Sequence, residues 1–201
     1  MIEKVPALSK LCKELQKVPY LASKNLYRVA TYFLTEDSAR IEQLCKTILI
    51  AKQTVISCSI CSVWKEREQS CIFCDNPKRD HTLICVVETW QEMMTIEKTE
   101  GYKGLYHVLG GAICPLEGIS AEDLSITALI ARVSGQTGCE EVIFATNQTP
   151  EGEATAAFIA RKLKDTNVKI SCLARGIPVG SHLEMMDKLT VYKALSERRP
   201  F

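Results

Sequence analysis

Apolar residues recur at helical spacing through the first quarter of the chain. Intervals of three and four residues separate Leu8, Leu11, Cys12 and Leu15, and Val18-Pro19 ends this pattern because proline breaks a helix. A second helix is predicted from the face formed by Leu26, Val29, Ala30, Phe33 and Leu34. A third is predicted over 38–56, with a face of Ile41, Leu44, Cys45, Ile48, Leu49 and Val55 that the stem of Lys52 interrupts.

From residue 82 the pattern changes to short apolar runs that are typical of buried strands. Strands are predicted over 82–87, 105–109, 141–146 and 169–174, and helices over 89–98, 125–133 and 152–163. Because strands and helices alternate, we expect a parallel sheet with helices on both faces. Together with the helical start, this predicts an α+β protein built from several modules.

Length and composition fit a folded protein with a substantial core, since 46% of the 201 residues are hydrophobic and 24% are charged. Charges stand where a signal peptide would have its apolar core, and no apolar run approaches a membrane span, so we expect a cytoplasmic protein.

Residues 1–57 carry nine Lys and Arg against five Asp and Glu, whereas 81–201 carry twelve against fifteen. The basic first segment suggests an anionic partner, although a solvated helical face explains it nearly as well.

Two C-x-x-C pairs stand close together, Cys58-Ser-Ile-Cys61 and Cys71-Ile-Phe-Cys74. Two cysteines at this spacing can direct both sulfurs at one ion, and the loop between the pairs is long enough for the second pair to return to it. Four thiolates leave no open coordination position, so a zinc ion here would be structural. The competing interpretations are two disulfides or a redox C-x-x-C. The other cysteines are predicted to be buried: Cys12, Cys45, Cys85, Cys114, Cys139 and Cys172.

Lys24 and Arg28 lie four residues apart near the start of the second helix, so one helix face presents both. Paired helices with positive side chains and free backbone N–H groups at a helix N-terminus can hold a phosphate. The alternative is a small helical bundle whose Lys and Arg side chains are only solvated, and the residues alone favour that alternative.

Acidic residues follow two of the predicted strands: Glu88 after the first, Glu151 and Glu153 after the third. Sites in parallel sheets lie at the carboxyl ends of the strands, where three carboxylates could hold Mg²⁺. Alternatively these residues only cap helices, since Glu is favoured in a first turn.

His107 stands in a predicted strand without a nucleophile beside it, so we expect it to be structural. The sequence has no evident catalytic triad or phosphate-binding glycine loop.

Several longer blocks of sequence resemble the bacterial recombination-mediator family RecR. After the cysteine pairs they come in the order 84–88, 101–111, 145–156 and 174–180, followed by Leu183-Glu184, Asp187, Thr190 and Arg198-Arg199. The resemblance covers nearly the whole chain, and the blocks around Tyr106-His107 and Glu151-Gly-Glu153 are specific.

The resemblance implies a helix-hairpin-helix domain over 1–57, a Cys₄ zinc finger over 58–80, a Toprim domain over 81–176 and a C-terminal helical segment over 177–201. It implies a non-enzymatic, nucleoid-associated DNA-repair protein that forms rings and binds single- and double-stranded DNA. Such proteins act with RecO, and with RecF where present, to help RecA displace single-strand-binding protein at gaps. The basic hairpin positions fall on Lys24 and Arg28, and the Toprim acidic positions fall on Glu88, Glu151 and Glu153.

The chain departs from the family pattern at several positions. Tyr20-Leu21-Ala22 replaces Gly-hydrophobic-Gly in the hairpin, which hinders close approach to a phosphate and shifts weight to Lys24 and Arg28. Thr89 replaces a second acid, which weakens the case for Mg²⁺; further departures are Gln148, Ser181 and Met185. Two other functions therefore stay open: a scaffold whose degenerate hairpin has lost DNA binding, and a metal-dependent Toprim enzyme.

Overall fold

The computed structural model describes residues 4–21, 23–135, 138–198 and 200. The chain divides into two compact units, Met1–Val55 and Ile56–Phe201. Within the described residues, no helix is long and apolar enough to cross a membrane.

The first unit consists of α1 (Pro6–Gln16), α2 (Ser23–Thr35) and α3 (Ser38–Thr54). The predicted faces of α1 and α2 meet, because Cys12, Leu26 and Ala30 are buried against one another with Leu8, Leu11 and Leu15 packed around them. Leu34 continues this face at the last turn of α2 but is 62% exposed, outside the small core.

Helix α3 begins where the carboxylate of Asp37 accepts a hydrogen bond from the Ala39 N–H at 2.9 Å, a regular N-cap. None of its residues is buried, so the apolar face predicted from the sequence faces solvent in the single chain. The helix ends at Thr54, and the segment predicted to continue it forms β1 (Val55–Ser57) instead. Strand β1 pairs with β2 (Trp64–Glu66) in a two-stranded sheet that the pattern did not predict.

The second unit contains the predicted parallel sheet. Its strands are β3 (Asp80–Val87), β4 (Gly104–Val108), β5 (Glu141–Phe144) and β6 (Lys169–Cys172), in the order β4-β3-β5-β6, and every pair is parallel. The helices between them are α4 (Trp90–Glu97), α5 (Ile126–Gly135) and α6 (Pro150–Lys162). The chain continues through α7 (Lys188–Ser196), with short 3₁₀ turns at Pro115–Glu117 and Leu183–Met185. The α+β architecture is therefore confirmed.

Two apolar layers cover the two faces of this sheet. Because side chains alternate along a strand, Ile84 and Val86 pack with α5 and α6, whereas Cys85 and Val87 point to the opposite face. On that opposite face lie the cysteine pairs, Phe73 and Met93 of α4. The cysteine module is thus part of a core that it shares with the sheet.

The scattered cysteines are only partly buried. Cys12 and Cys85 are buried and Cys114 and Cys139 half-buried, but Cys45 and Cys172 are exposed, so the prediction is wrong for these two. Cys45 lies on the solvent-facing α3, and Cys172 ends the edge strand β6, which has no buried residue. Their apolar sequence context did not reveal that both elements lack a covering partner.

Candidate metal centre and binding surfaces

Four cysteine sulfurs gather at one point in the second unit. The Sγ atoms of Cys58, Cys61, Cys71 and Cys74 all lie within 4.8 Å of one another, and three of the four residues are buried. All ten cysteines are free thiols, so no disulfide holds the cluster together. Within the described ranges this is the one group of three or more His, Cys, Asp or Glu side chains close enough to hold a metal ion.

Tight turns place each pair of sulfurs. In the first pair, the Cys58 N–H donates to the Val63 carbonyl at 2.8 Å and Ser62 adopts a left-handed φ of 61°. In the second pair, the Cys71 N–H donates to the Asp75 carboxylate at 2.6 Å, and the Cys74 N–H donates to the Cys71 sulfur at 3.5 Å. The C-x-x-C spacing therefore folds as the sequence predicts, with both sulfurs of each turn on its inner side.

Burial and hydrogen bonds change the pKa values of three thiols in the cluster. Burial raises the pKa of the Cys71 thiol, and a hydrogen bond with the Cys74 sulfur together with burial raises the pKa of Cys61. For Cys58, burial acts to raise the pKa, but hydrogen bonds from the Cys61 and Ile60 backbone N–H groups outweigh it and lower the pKa. Because neighbouring thiolates repel one another, a bound divalent cation would stabilise them by its charge.

The cysteine module also covers the open edge of the sheet. Strand β4 is an edge strand, and its outward backbone groups belong to Gly104, Tyr106 and Val108. The Gly104 carbonyl accepts from Arg79 Nη1 at 3.1 Å, and the Val108 N–H donates to the Cys61 carbonyl at 2.9 Å. The Tyr106 carbonyl accepts from Arg132 Nη1 at 2.8 Å. An edge that could pair with another strand is therefore closed by side chains and by the first cysteine turn.

Aromatic contacts fasten the second cysteine turn to the sheet. Phe73, between Cys71 and Cys74, lies edge-on to Tyr106 with ring centroids 5.2 Å apart. The Arg79 guanidinium stacks over the Phe73 ring at 4.8 Å and forms an ion pair with Glu97, which also accepts from the Tyr106 hydroxyl at 2.9 Å. Beyond the aromatic residue inside the C-x-x-C pair, no sequence pattern indicated this cluster.

At the carboxyl edge of the sheet, Glu88 is held by a neighbour that we did not predict. Glu88 is 6% exposed, and its two oxygens accept from the backbone N–H and the side-chain Nδ2 of Asn147, at 2.7 and 2.8 Å. The same Nδ2 donates to Glu92 at 2.7 Å, and Glu92 accepts from the Thr89 N–H in the capping box of α4. Gly152 permits this arrangement, because a Cβ there would collide with the Asn147 carbonyl oxygen and with Glu88.

The other two acidic residues have separate surroundings. Both stand in the first turn of α6, where Glu151 is exposed. The carboxylate of Glu153 accepts from Lys193 of α7 at 2.8 Å and pairs with Arg175 at 3.3 Å. The hydrogen bond from Lys193 and the charge of Arg175 lower the pKa of Glu153. With Glu88 held by an amide and Glu153 by two cations, the described residues do not bring the three carboxylates together as one metal-binding group.

His107 is enclosed in the core. Its Nε2 lies 3.0 Å from both the carbonyl oxygen and the hydroxyl of Ser125. Burial lowers the pKa of His107 to about 4, so the ring is neutral at neutral pH. The Ser125 hydroxyl donates to the Val108 carbonyl at 2.5 Å, so these hydrogen bonds tie the residue before α5 to β4.

Lys24 and Arg28 lie on the exposed side of α2, one turn apart, in the first unit. Before this helix, Tyr20 adopts a left-handed φ of 64° and its side chain is fully exposed. Tyr20 thus has a backbone conformation that glycine adopts without strain, and the RecR-like pattern described above has glycine at this position. Ala22, the other replaced position, lies outside the described residues.

Comparison with known families covers most of the second unit. The model of the Toprim domain matches residues 82–174, and the model described as "RecR, C-terminal" matches residues 176–199. The first range contains all of the parallel sheet except the first two residues of β3, together with Glu88, Asn147 and Glu153, and the second contains α7.

Full-length relatives extend the match to nearly the whole chain. A protein named Recombination protein RecR from Desulforudis audaxviator is 42% identical over 193 residues, which is 96% of each chain. Proteins of the same name from Tropheryma whipplei and Chlorobium chlorochromatii are 41% identical over 189 residues (94% of each chain) and 42% identical over 195 residues (96% of each chain). The chain therefore belongs to the RecR family.

Proposed function

We propose that the chain is a DNA-binding recombination mediator that acts with RecO, and with RecF where present, to help RecA load on gapped DNA coated by single-strand-binding protein. The observation that carries this proposal is the similarity to proteins named Recombination protein RecR over 94 to 96% of the chain. The protein works in the cytoplasm, at the nucleoid, where such DNA lies.

The DNA contact is assigned to Lys24 and Arg28. Both side chains are exposed on one face of α2, and residues 1–57 carry the chain's excess of positive charge. Such side chains bind phosphates of single- and double-stranded DNA without reading the sequence. Tyr20 prevents the close backbone approach that glycine would permit, so these two side chains provide most of the local affinity.

Self-association into a ring is supported by two exposed apolar faces, one in each unit. Helix α3 exposes Ile48 and Leu49 at 58 and 62%, and α7 exposes Leu189, Tyr192 and Leu195 at 60 to 70%. Exposed apolar stripes of this kind mark interaction surfaces. If each face pairs with its counterpart on another copy, every chain has two interfaces, which is the number that each subunit of a closed ring needs.

The metal centre has a structural role in this proposal. Zn²⁺ suits four thiolates, and a filled tetrahedral shell leaves no position for a substrate. The module would then stabilise the β4 edge, which it already covers through Cys61 and Phe73.

We propose no enzymatic activity and no catalytic residue. Two of the three carboxylates that a Toprim enzyme would use for metal-dependent phosphoryl transfer have other partners: Glu88 accepts from Asn147, and Glu153 pairs with Lys193 and Arg175. Mg²⁺-dependent DNA cleavage that disappears in Glu88→Ala would contradict this assignment.

One experiment separates the mediator from a scaffold that has lost DNA binding. Purified chain is tested for capture of RecO and, in parallel, for binding of gapped, single-stranded and duplex DNA at several salt concentrations. The mediator is expected to capture RecO and to bind DNA with an affinity that falls as salt rises. Capture of RecO without measurable DNA binding at low salt would favour the scaffold.

A further inference from the structure

One side chain reaches the cysteine cluster from the other side of the sheet. Arg132 belongs to the last turn of α5, whose apolar residues Leu129 and Val133 pack on the face opposite the cysteines. Its guanidinium passes the edge strand β4, where Nη1 donates to the Tyr106 carbonyl at 2.8 Å. Its Nη2 lies 3.9 Å from the sulfur of Cys74.

The positive charge of the Arg132 guanidinium is favourable beside the cysteine cluster. Four thiolates around one divalent cation leave an excess of negative charge, and arginine keeps its own charge even when partly buried. Among the described residues the buried Nε of Arg132 has no hydrogen-bond partner, so the side chain gives up one hydrogen bond to hold its terminal nitrogens in place. The fixed fork of the guanidinium allows one amino group to anchor on the backbone while the other points to sulfur.

We propose that Arg132 is a positioning residue of the metal centre, orienting Cys74 and offsetting the negative charge of the thiolates. This inference rests on the proposed four-cysteine metal site. Partners of metal ligands fix the ligand's orientation, and their loss typically weakens metal affinity by about 10- to 100-fold.

The test measures zinc release rather than recombination activity. Zinc-loaded wild type, Arg132→Met and Arg132→Lys are mixed with excess chelator, and the release of zinc is followed with a colorimetric indicator. Arg161→Met, which removes an exposed arginine from the last turn of α6, is the matched control. The absorption band from sulfur to metal in cobalt-substituted protein reports the Cys74 environment independently of stability.

We expect Arg132→Met to release zinc at least about 10-fold faster than wild type and to shift the cobalt band. Arg132→Lys should lie between the two, because it keeps the charge but loses the fork, and Arg161→Met should match wild type. Wild-type release from folded Arg132→Met would overturn the inference; should that variant fail to fold, wild-type release from Arg132→Lys would do so. Wild type that holds no zinc would instead refute the metal centre itself.

Discussion

Asn147 donates hydrogen bonds to both carboxylate oxygens of Glu88. Its backbone N–H donates to Oε1 at 2.7 Å and its side-chain Nδ2 donates to Oε2 at 2.8 Å. This contact joins the ends of β3 and β5, the neighbours between which the strand order reverses. Ligands of parallel α/β sheets usually bind in that crevice. In this chain the Asn147 side chain lies in the crevice. Its hydrogen bonds to Glu88 take the place of the contacts that a bound cation would make with that carboxylate.

Asn147→Ala is expected to destabilise the second unit. Glu88 would stay buried without its side-chain donor from Nδ2, and an unsatisfied buried polar group costs about 1–3 kcal/mol. Chemical denaturation of wild type and variant at equal zinc content measures the difference. A change in unfolding free energy below about 0.5 kcal/mol would show that water replaces the amide at no cost.

Asn147→Asp tests the metal question directly. The new carboxylate would stand beside Glu88 and Glu92, an oxygen-rich set that favours Mg²⁺ or Mn²⁺. We expect Mn²⁺ to raise the melting temperature of the variant, while the wild type does not respond. A saturable rise in the wild type would show that its carboxyl edge binds a divalent cation after all.

Gly152→Ala reverses the usual helix preference. Alanine is normally favoured over glycine inside a helix by about 1 kcal/mol. Here a Cβ would meet the Asn147 carbonyl oxygen and Glu88, so we expect a loss of about 1–3 kcal/mol in unfolding free energy. Gly135→Ala in α5 is the control, because apart from its chain neighbours and its own helix backbone no described atom lies within 4 Å of its Cβ position, and the variant should be neutral or stabilising. Equal effects of the two substitutions would contradict the close approach.

The sequence predicts the second unit well because its signals are local and periodic. Short apolar runs set the four strands, and the C-x-x-C spacing sets the cysteine turns. Contacts between distant segments carry no such signal: Asn147 meets Glu88 across 59 positions, and Arg132 meets Cys74 across 58. The periodicity of α3 predicts an apolar face but cannot tell whether the same chain covers it. For this reason Cys45 of α3 was predicted to be buried although it is exposed.

Zinc should be present at about one equivalent per chain in protein purified without added metal. We expect Cys74→Ser to lose most of the zinc and to unfold at a lower temperature, because the module covers the β4 edge. Cys172→Ser is the matched control: Cys172 is an exposed cysteine outside the cluster, so the variant should keep both zinc and stability. Wild type without metal, or equal zinc in the two variants, would argue against the four-cysteine site.

His107 should make stability fall in mild acid. Its pKa is about 4 in the folded chain, lowered by burial and by the nearby charge of Arg132, against about 6.5 in the unfolded chain. Unfolding then takes up a proton at any pH between these values, so stability is steady above about pH 6.5 and decreases by up to about 3 kcal/mol towards pH 4. His107→Gln should flatten this part of the profile. Parallel profiles at matched zinc content would mean that His107 does not titrate in this way.

The basic face of α2 gives the most direct test of the proposed function. We expect Lys24→Ala combined with Arg28→Ala to weaken DNA binding uniformly across sequences, because phosphate contacts carry no base information. Each duplex phosphate contact contributes about −0.9 to the slope of log affinity against log salt, so the slope should flatten. In a ring the loss repeats at every subunit that touches DNA. Folding and zinc content should not change, since both side chains are exposed.

Two further variants show whether the loss of DNA affinity depends on where the charges lie or only on how many are removed. Arg161→Ala with Lys164→Ala removes the same charge from two exposed residues, one in the last turn of α6 and one just after the helix, and it should leave affinity and slope nearly unchanged. Tyr20→Gly places glycine at a φ of 64°, where it relieves strain and opens the turn to a phosphate, so it should bind DNA more tightly than wild type. Wild-type affinity and slope in the Lys24 and Arg28 double variant would move the DNA site elsewhere. If Tyr20→Gly also had no effect, the hairpin would have no part in binding, and the scaffold would become the better account of this chain.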